Sequence, residues 1–486
     1  MKFVKKIASL FLALSMLLCL STTAFAADPT TGSITVDKAI AGQTYSVYEI
    51  FGLESYDTGS GTYSYTITGD SDWYAFVTAG AGKDYVTVKQ YGSTNTYYVS
   101  WNTAKNTDAD KVAFSQAALA YAKQNGIQAA KQETVPEGQT SVTFSDLPLG
   151  YYLVDSSLGA LCILTTTKPE ATVTEKNAEP TVDKEVKEDS TGVWGDDNSA
   201  DIGQIVEFKT TITVQPGAQN YILHDTMTGL TLDPASIQVQ VNDADVDKAN
   251  YTVTTTGLAD RCDFEVAFTD AYVSGLAANT KIVVSYSATV DTDAVIGGNG
   301  NPNETWLDYG DDNHSTHDTT KTYTYSFDLV KTKDDDTILT GATFKLYDSK
   351  TEGTEILLVK DADGSYRVAV TDEEKAHPVE IEAGHVTIKG LDSDTYYLEE
   401  TKAPNGYNKL AERIEVKIED KNNSAVVTGN TYENGGVQVI NYAGSQLPST
   451  GGIGTTVFYI TGGVLLAGAG LLLVIRKRMN AAKAAK

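Results

Sequence analysis

The chain has 486 residues, with 37 Lys and Arg against 64 Asp and Glu and a formal net charge of −27. That length is enough for two to four domains with proper cores. So acidic a surface repels nucleic acid and anionic lipid, and three cysteines exclude a disulfide framework as the means of holding an exported protein together.

The first predicted element is an export signal. Lys2, Lys5 and Lys6 precede the apolar run Ile7 to Leu20, and Ala24-Phe25-Ala26 supplies an A-x-A cleavage site, so cleavage is expected between Ala26 and Ala27. Cys19 lies in the apolar run after Leu18, which is not the small residue a lipoprotein site needs, and it reads as an ordinary signal-peptide residue.

Beyond the signal, most of the chain alternates Val, Thr and Tyr with polar residues between Gly, Asp and Asn turns, as in Tyr97 to Trp101, Lys281 to Val290 and Arg413 to Ile418. This pattern predicts antiparallel β-sandwiches. One helix is expected from Asp108 to Gln124, with Val112, Leu119 and Tyr121 among its apolar positions and Asn125-Gly126 as its stop. Linker-like sequence occurs at Asn177-Ala178-Glu179-Pro180 and in the polar run Gly310 to Thr320. Three domains are therefore expected, at 27–178, 179–322 and 323–443. Cys162 and Cys262 fall in different ones. The pattern Gly-x-Thr-aromatic-x-aliphatic-Tyr occurs at Gly42 to Tyr48 and again at Gly341 to Tyr347, which hints at related sandwiches.

The chain ends with Leu447-Pro448-Ser449-Thr450-Gly451, an apolar stretch from Val457 to Ile475, and Arg476-Lys477-Arg478. Roughly 19 apolar residues form a helix of about 28 Å, enough to cross a bilayer core, with the basic tail left in the cytoplasm. The pentapeptide resembles the motif that sortase transpeptidases cut between Thr and Gly. The helix then holds the chain until Thr450 is passed to an amine. The two removed ends carry eight basic residues and no acid, so the mature chain would have 29 basic against 64 acidic residues, a net charge of −35.

Three rows in the last domain carry a polar group on an apolar face. Tyr323, Tyr325, Phe327, Leu329 and Lys331 are two apart, as are Tyr396, Leu398 and Glu400, and Val437, Val439 and Asn441. In a strand each row points one way. An amine, a carboxylic acid and a carboxamide facing one core call for chemistry or a polar network. In the middle domain Val182, Lys184 and Val186 share a phase, as do Tyr221, Leu223 and Asp225.

The run Tyr396-Tyr397-Leu398-Glu399-Glu400-Thr401-Lys402-Ala403-Pro404-Asn405-Gly406-Tyr407 resembles the E-box of Gram-positive sortase-assembled major pilins, in their B-type collagen-adhesin (CnaB) domains. The resemblance implies tandem immunoglobulin-like, Cna-type sandwiches. It also implies an intramolecular isopeptide bond from Lys331 to Asn441, promoted by Glu400. His224-Asp225-Thr226-Met227-Thr228-Gly229-Leu230 resembles the acid-bearing strand of the family's middle domain, implying a second bond from Lys184, promoted by Asp225, to an Asn near the last strand. Asn303, in phase with Thr305, Leu307 and Tyr309, is the choice; Asn301 and Asn313 remain alternatives. Burial favours a neutral amine and a protonated carboxyl, which lets the amine attack the amide without an external enzyme. Closing loops of roughly 110 to 120 residues would remove on the order of 4.7 kcal/mol each from the unfolded state's advantage.

The family also uses an exposed Lys between its first two domains to receive the Thr carbonyl of the next subunit. Val173-Thr174-Glu175-Lys176-Asn177 is the corresponding stretch, with Lys176 as acceptor and Lys168, before Pro169, as runner-up. In the first domain Lys38 follows Ile34 and Val36 in phase and Asp155 sits where an E-box acid would, but no well-placed Asn accompanies them. The implied protein is a pilus backbone subunit at the cell surface. Its partners would be a class C sortase, a housekeeping sortase, identical subunits, minor pilins and peptidoglycan, with no cofactor. The alternative is a monomeric wall-anchored adhesin. A hydrolase lacks a motif, since there is no HExxH, nucleophile elbow or spaced Cys cluster. The cluster Asp311-Asp312-Asn313-His314-Ser315-Thr316-His317-Asp318 reads as an inter-domain polar loop rather than a metal site, and none is expected.

Overall fold

The structure is a computed structural model, and it describes residues 30–483 except 58, 422–423, 430, 433–435, 446 and 448–452. The expected cleavage point between Ala26 and Ala27, and Pro448, Ser449, Thr450 and Gly451 of the sorting motif, lie outside the described residues. The fold is all-β with few helices, and the strands form six sheets taken in pairs along the chain.

Residues 31–174 supply a three-stranded and a seven-stranded sheet. In the smaller, Thr31–Asp37 pairs in parallel with Glu170–Thr174 and antiparallel with Ser141–Pro148. Ile34, Val36, Tyr45, Phe144, Tyr152 and Val154 meet in the core between the sheets. The helix Asp108–Asn125 starts at a capping box of Thr107 and Asp110 and ends at Gly126, whose φ of 64° is the left-handed conformation that ends helices. It buries Phe114, Ala118, Leu119 and Ala122 against Trp73, Phe76 and Phe51. Val112, among the apolar positions of this helix, is 40% exposed.

Residues 181–323 form two seven-stranded sheets. One contains Thr181–Lys187, Ile205–Thr213 and Lys281–Val290; the other contains Ile222–Met227, Phe264–Phe268, Asn301–Tyr309 and Asp318–Tyr323. The polar run Gly310 to Thr320 is not a linker. Asn313–His314 turns back onto Asp308 and Tyr309, and Asp318–Tyr323 pairs with Asn301–Thr305. Its polarity reflects a hairpin at the sandwich's rim, where side chains meet water.

Residues 325–440 build a five-stranded and a six-stranded sheet. Tyr325–Thr332 pairs in parallel with Val437–Ile440, and Thr343–Tyr347 pairs with Thr395–Lys402. The two copies of the glycine-led pattern open comparable strands, Thr44–Asp57 and Thr343–Tyr347, and Gly42 and Gly341 have φ of 83° and 92°. A helix spans Ile453–Lys483, of which Thr456–Asn480 is long and apolar enough to cross a membrane. By contacts the chain divides into two compact units, 1–326 with 389–393 and 420–426, and 327–388 with 394–419 and 427–486.

Thr107→Ala removes the side-chain acceptor at the helix start, costing about 1 kcal/mol. Hydrogen exchange of the first-turn amides should accelerate roughly five-fold; unchanged exchange there would show that the cap does not hold the helix.

Candidate functional site

Lys184 enters the middle core because Thr181–Lys187 alternates outward and inward residues, and Lys184 is 1% exposed. Its backbone N–H donates to Asp318 Oδ2 at 2.7 Å, fixing the strand beside the rim hairpin. The Nζ donates to Asp225 Oδ2 at 2.6 Å and to the Tyr286 hydroxyl at 2.5 Å. The same hydroxyl donates to Asp225 Oδ2 at 2.8 Å and accepts from Asn303 Nδ2 at 2.8 Å. Tyr286 thus bridges the amine, the acid and the amide, held by a stacked Phe208 and an edge-on Phe264. Burial pushes the Lys184 amine down from its ordinary range and lifts the Asp225 carboxyl to about 6. Both shifts favour uncharged partners. Asp225 Oδ1 and Asn303 Oδ1 are buried without a hydrogen-bond partner.

Of the three asparagines, only Asn303 joins this group among the described contacts. Asn301 is buried too, but its side chain closes a loop through the Val295 N–H, the Val295 carbonyl and the Thr322 carbonyl. Asn313 donates to the Ser157 carbonyl at 2.5 Å. Sequence phase overlooks Tyr286, although the Lys281–Val290 strand is legible. Its alternation with Ile282, Val284 and Ala288 looks like any core aromatic.

In the last sandwich Lys331, Glu400 and Asn441 are 0%, 1% and 0% exposed. Parallel pairing sets Lys331 opposite Val439, and the Asn441 N–H donates to the Thr332 carbonyl at 3.1 Å. Lys331 Nζ donates to the carbonyls of Thr332 and Val439 at 3.1 and 3.0 Å. Glu400 Oε2 accepts from Asn441 Nδ2 at 3.1 Å and from the Leu410 N–H at 2.7 Å. The stretch after the E-box acid closes over this amide. Asn441 Nδ2 also donates to the Asn408 carbonyl, the Asn408 N–H donates to Tyr442, and the Gly444 N–H donates to Gly406. Burial pushes the Lys331 amine down to about 8, against a smaller upward pull from Glu400. Glu400 Oε1 and Asn441 Oδ1 are buried and unpartnered.

The first sandwich has no such set among the described residues. Lys38 is exposed at φ 56°, turned out of the strand that would have carried it inward. Asp155 is buried, and burial lifts its carboxyl to about 7. Lys176 is exposed, and its amine has no hydrogen bond or ion pair among the described residues. Its backbone N–H and that of Asn177 both donate to Glu175 Oε1, while Asn177 is buried against Gly217. Lys168 is exposed but engaged, donating to the Tyr63 hydroxyl and lying over its ring. Leu447 is 85% exposed. The run Asp311 to Asp318 assembles no metal-ligand group among the described residues. Asp311 pairs with Lys123 at 2.8 Å, His314 with Asp308 at 2.5 Å and His317 with Glu304 at 3.2 Å. Potential ligands do converge at His224, Asp260 and Cys262, and at Glu188, Asp189 and Asp392.

A family model for the SpaA prealbumin-like fold domain matches residues 325–432, and one for the LPXTG cell wall anchor motif matches 440–480. Comparison with curated proteins gave no match. Among solved structures, the chain resembles the T6 backbone pilin of serotype M6 Streptococcus pyogenes, at 16% identity and TM-score 0.50, over 86% of this chain and 100% of that one. The major pilin SpaA of Corynebacterium diphtheriae aligns at 16% identity and TM-score 0.45, over 85% of this chain and 100% of that one. Full-length RrgB of Streptococcus pneumoniae aligns at 15% identity and TM-score 0.43, over 88% and 100%. The chain is a cell-wall-anchored surface protein with a SpaA-type prealbumin-like domain ahead of its LPXTG anchor, built on the fold of a Gram-positive backbone pilin.

Proposed function

We propose that the chain is the backbone subunit of a covalently polymerised pilus, a structural protein of three domains at 27–178, 179–322 and 323–443. Sortase joins Lys176 of one subunit to Thr450 of the next, and amides from Lys184 to Asn303 and from Lys331 to Asn441 brace each subunit. The observation that carries this reading is the contrast among three lysines on one wall-anchored chain: Lys176 is exposed and its amine is unpaired among the described residues, whereas Lys184 and Lys331 are sealed in cores that each also hold a buried acid and a buried asparagine. Polymerisation needs a mobile external amine; internal bonding needs a dry, neutral one.

In each internal reaction the uncharged Lys amine attacks the Asn side-chain carbon. The acid, Asp225 or Glu400, polarises the Asn carbonyl. The Lys nitrogen gives up a proton, the bond to the original amide nitrogen breaks, and that nitrogen leaves as ammonia. The Tyr286 hydroxyl positions all three middle-domain groups through its hydrogen bonds. In the intermolecular reaction the Lys176 amine displaces sortase from a thioacyl intermediate at Thr450.

The intact protein should weigh two ammonia molecules less than its sequence, and Asp225→Ala or Glu400→Ala should each restore one. A mass equal to the uncorrected sequence would sink the internal bonds. The Glu400→Ala variant also keeps a free, buried Lys331 amine. Burial holds that amine at about 8 even against the upward pull of Glu400, and the variant loses the pull, so from about 8 to the ordinary lysine value the unfolded chain binds more protons and stability must rise with pH across that window. Denaturant midpoints should climb from pH 8 toward about pH 10 in the variant relative to wild type; parallel profiles would show that the amine is not buried.

Lys176→Ala should leave both internal bonds intact and abolish the SDS-resistant ladder extracted from cell walls. A ladder that persists there and vanishes in Lys168→Ala moves the acceptor to Lys168. If wild type yields only monomer, the wall-anchored adhesin replaces the pilus.

A further inference from the structure

On strand Ile222–Met227, Leu223 and Asp225 point into the middle core, so His224 points to the sheet's other face. There it is paired in register with Glu265 on one side and Trp306 on the other. The imidazole is not left to solvent: it is 6% exposed and stacks on the Trp306 ring at 4.9 Å with 1° between planes. Cys262, just ahead of strand Phe264–Phe268, brings a buried thiol to the same place, and Asp260 brings a half-exposed carboxylate. His224 Nδ1 lies 2.8 Å from Asp260 Oδ2, 3.7 Å from Cys262 Sγ and 3.5 Å from Glu265 Oε1, and Cys262 Sγ lies 3.1 Å from Asp260 Oδ2.

We propose that His224, Asp260 and Cys262, whose ligand atoms converge, form a zinc site on the outer face of the middle sandwich, with water completing the tetrahedron. Bond lengths of about 2.0 Å to nitrogen or oxygen and about 2.3 Å to sulfur put tetrahedral ligands roughly 3.3 to 3.8 Å apart. The histidine–cysteine separation already falls in that range; the Asp260 contacts are shorter, the carboxylate hydrogen-bonding in the ion's place. The donor set selects the metal: imidazole with thiolate suits zinc, whereas calcium demands oxygen ligands throughout.

The surroundings are those of a metal-bound histidine. The far nitrogen, Nε2, is buried 3.1 Å from Asp308 Oδ2 without a hydrogen bond in this geometry, close enough that a small turn of the ring would let its N–H donate to that carboxylate, the contact that fixes the tautomer of a metal-bound histidine. Asp260 Oδ1 accepts the Cys262 N–H at 3.2 Å, which aims Oδ2 at the cluster. Asp260, with a side chain 34% exposed, gives the ion its way in. The bound ion would tie the loop before Phe264 to the strand that carries Asp225, one residue away.

The test uses the full-length chain in detergent micelles, stripped of metal under reducing conditions and titrated with Co²⁺ as a spectroscopic stand-in and then with Zn²⁺. One equivalent of Co²⁺ should produce a thiolate-to-metal charge-transfer band, which Zn²⁺ should bleach. Cys262→Ser should abolish the band and Cys162→Ser should leave it. Asp308→Asn, which touches no ligand to the ion except through His224, should weaken zinc binding about 10- to 100-fold. Should Cys262→Ser fail to fold, alkylation of the wild type decides instead, because stoichiometric zinc must protect Cys262. The absence of a charge-transfer band at one equivalent, a band that survives Cys262→Ser, or alkylation of Cys262 indifferent to zinc would each overturn the proposal.

Discussion

The structure turns on the cost of keeping an ammonium in a dry core. Lys184 and Lys331 are sealed among aromatic and aliphatic side chains, where water cannot solvate a charge. Burial has the largest influence on both amines, and it drives both toward the neutral form. A buried lysine left this way would be a liability in an ordinary sandwich. Here each has an acid within the same core, and each core has its own way of holding the group.

The two solutions differ in kind. In the middle sandwich a side chain does the organising: the Tyr286 hydroxyl contacts amine, carboxylate and carboxamide at once, and its ring is clamped between Phe208 and Phe264. In the last sandwich backbone does it: the loop from Gly406 to Leu410 folds across Asn441 and supplies a carbonyl to its amide and an N–H to Glu400. The conspicuous length of the motif around Glu400 has a physical reason, since residues well past the acid are what hold the asparagine.

Strand periodicity makes Lys331, Glu400 and Asn441 legible because each ends a row of large apolar residues, and a period of two assigns faces without knowledge of the fold. The same logic cannot separate Asn301 from Asn303, which share a phase. Only pairing separates them, by setting Asn303 across from Met227 while Asn301 is drawn into the Val295 loop. The run from Gly310 to Thr320 misleads for a related reason: composition reports that a segment is polar, not which end of a sandwich it occupies. His224 and Cys262 are 38 residues apart, a spacing no short motif covers, and strand pairing alone unites them.

The first and last strands of two of the sandwiches have a mechanical consequence. In the last sandwich the first strand, Tyr325–Thr332, and the final strand, Val437–Ile440, run side by side in parallel, and in the first sandwich Thr31–Asp37 and Glu170–Thr174 do the same. Chain enters one end of such a ladder and leaves by the other. A stretching load along the chain therefore shears the rungs together instead of peeling them one at a time, and the evenly spaced hydrogen bonds of a parallel pair share it. Rupture of the pair in the first sandwich, which no proposed amide spans, must break the whole ladder at once.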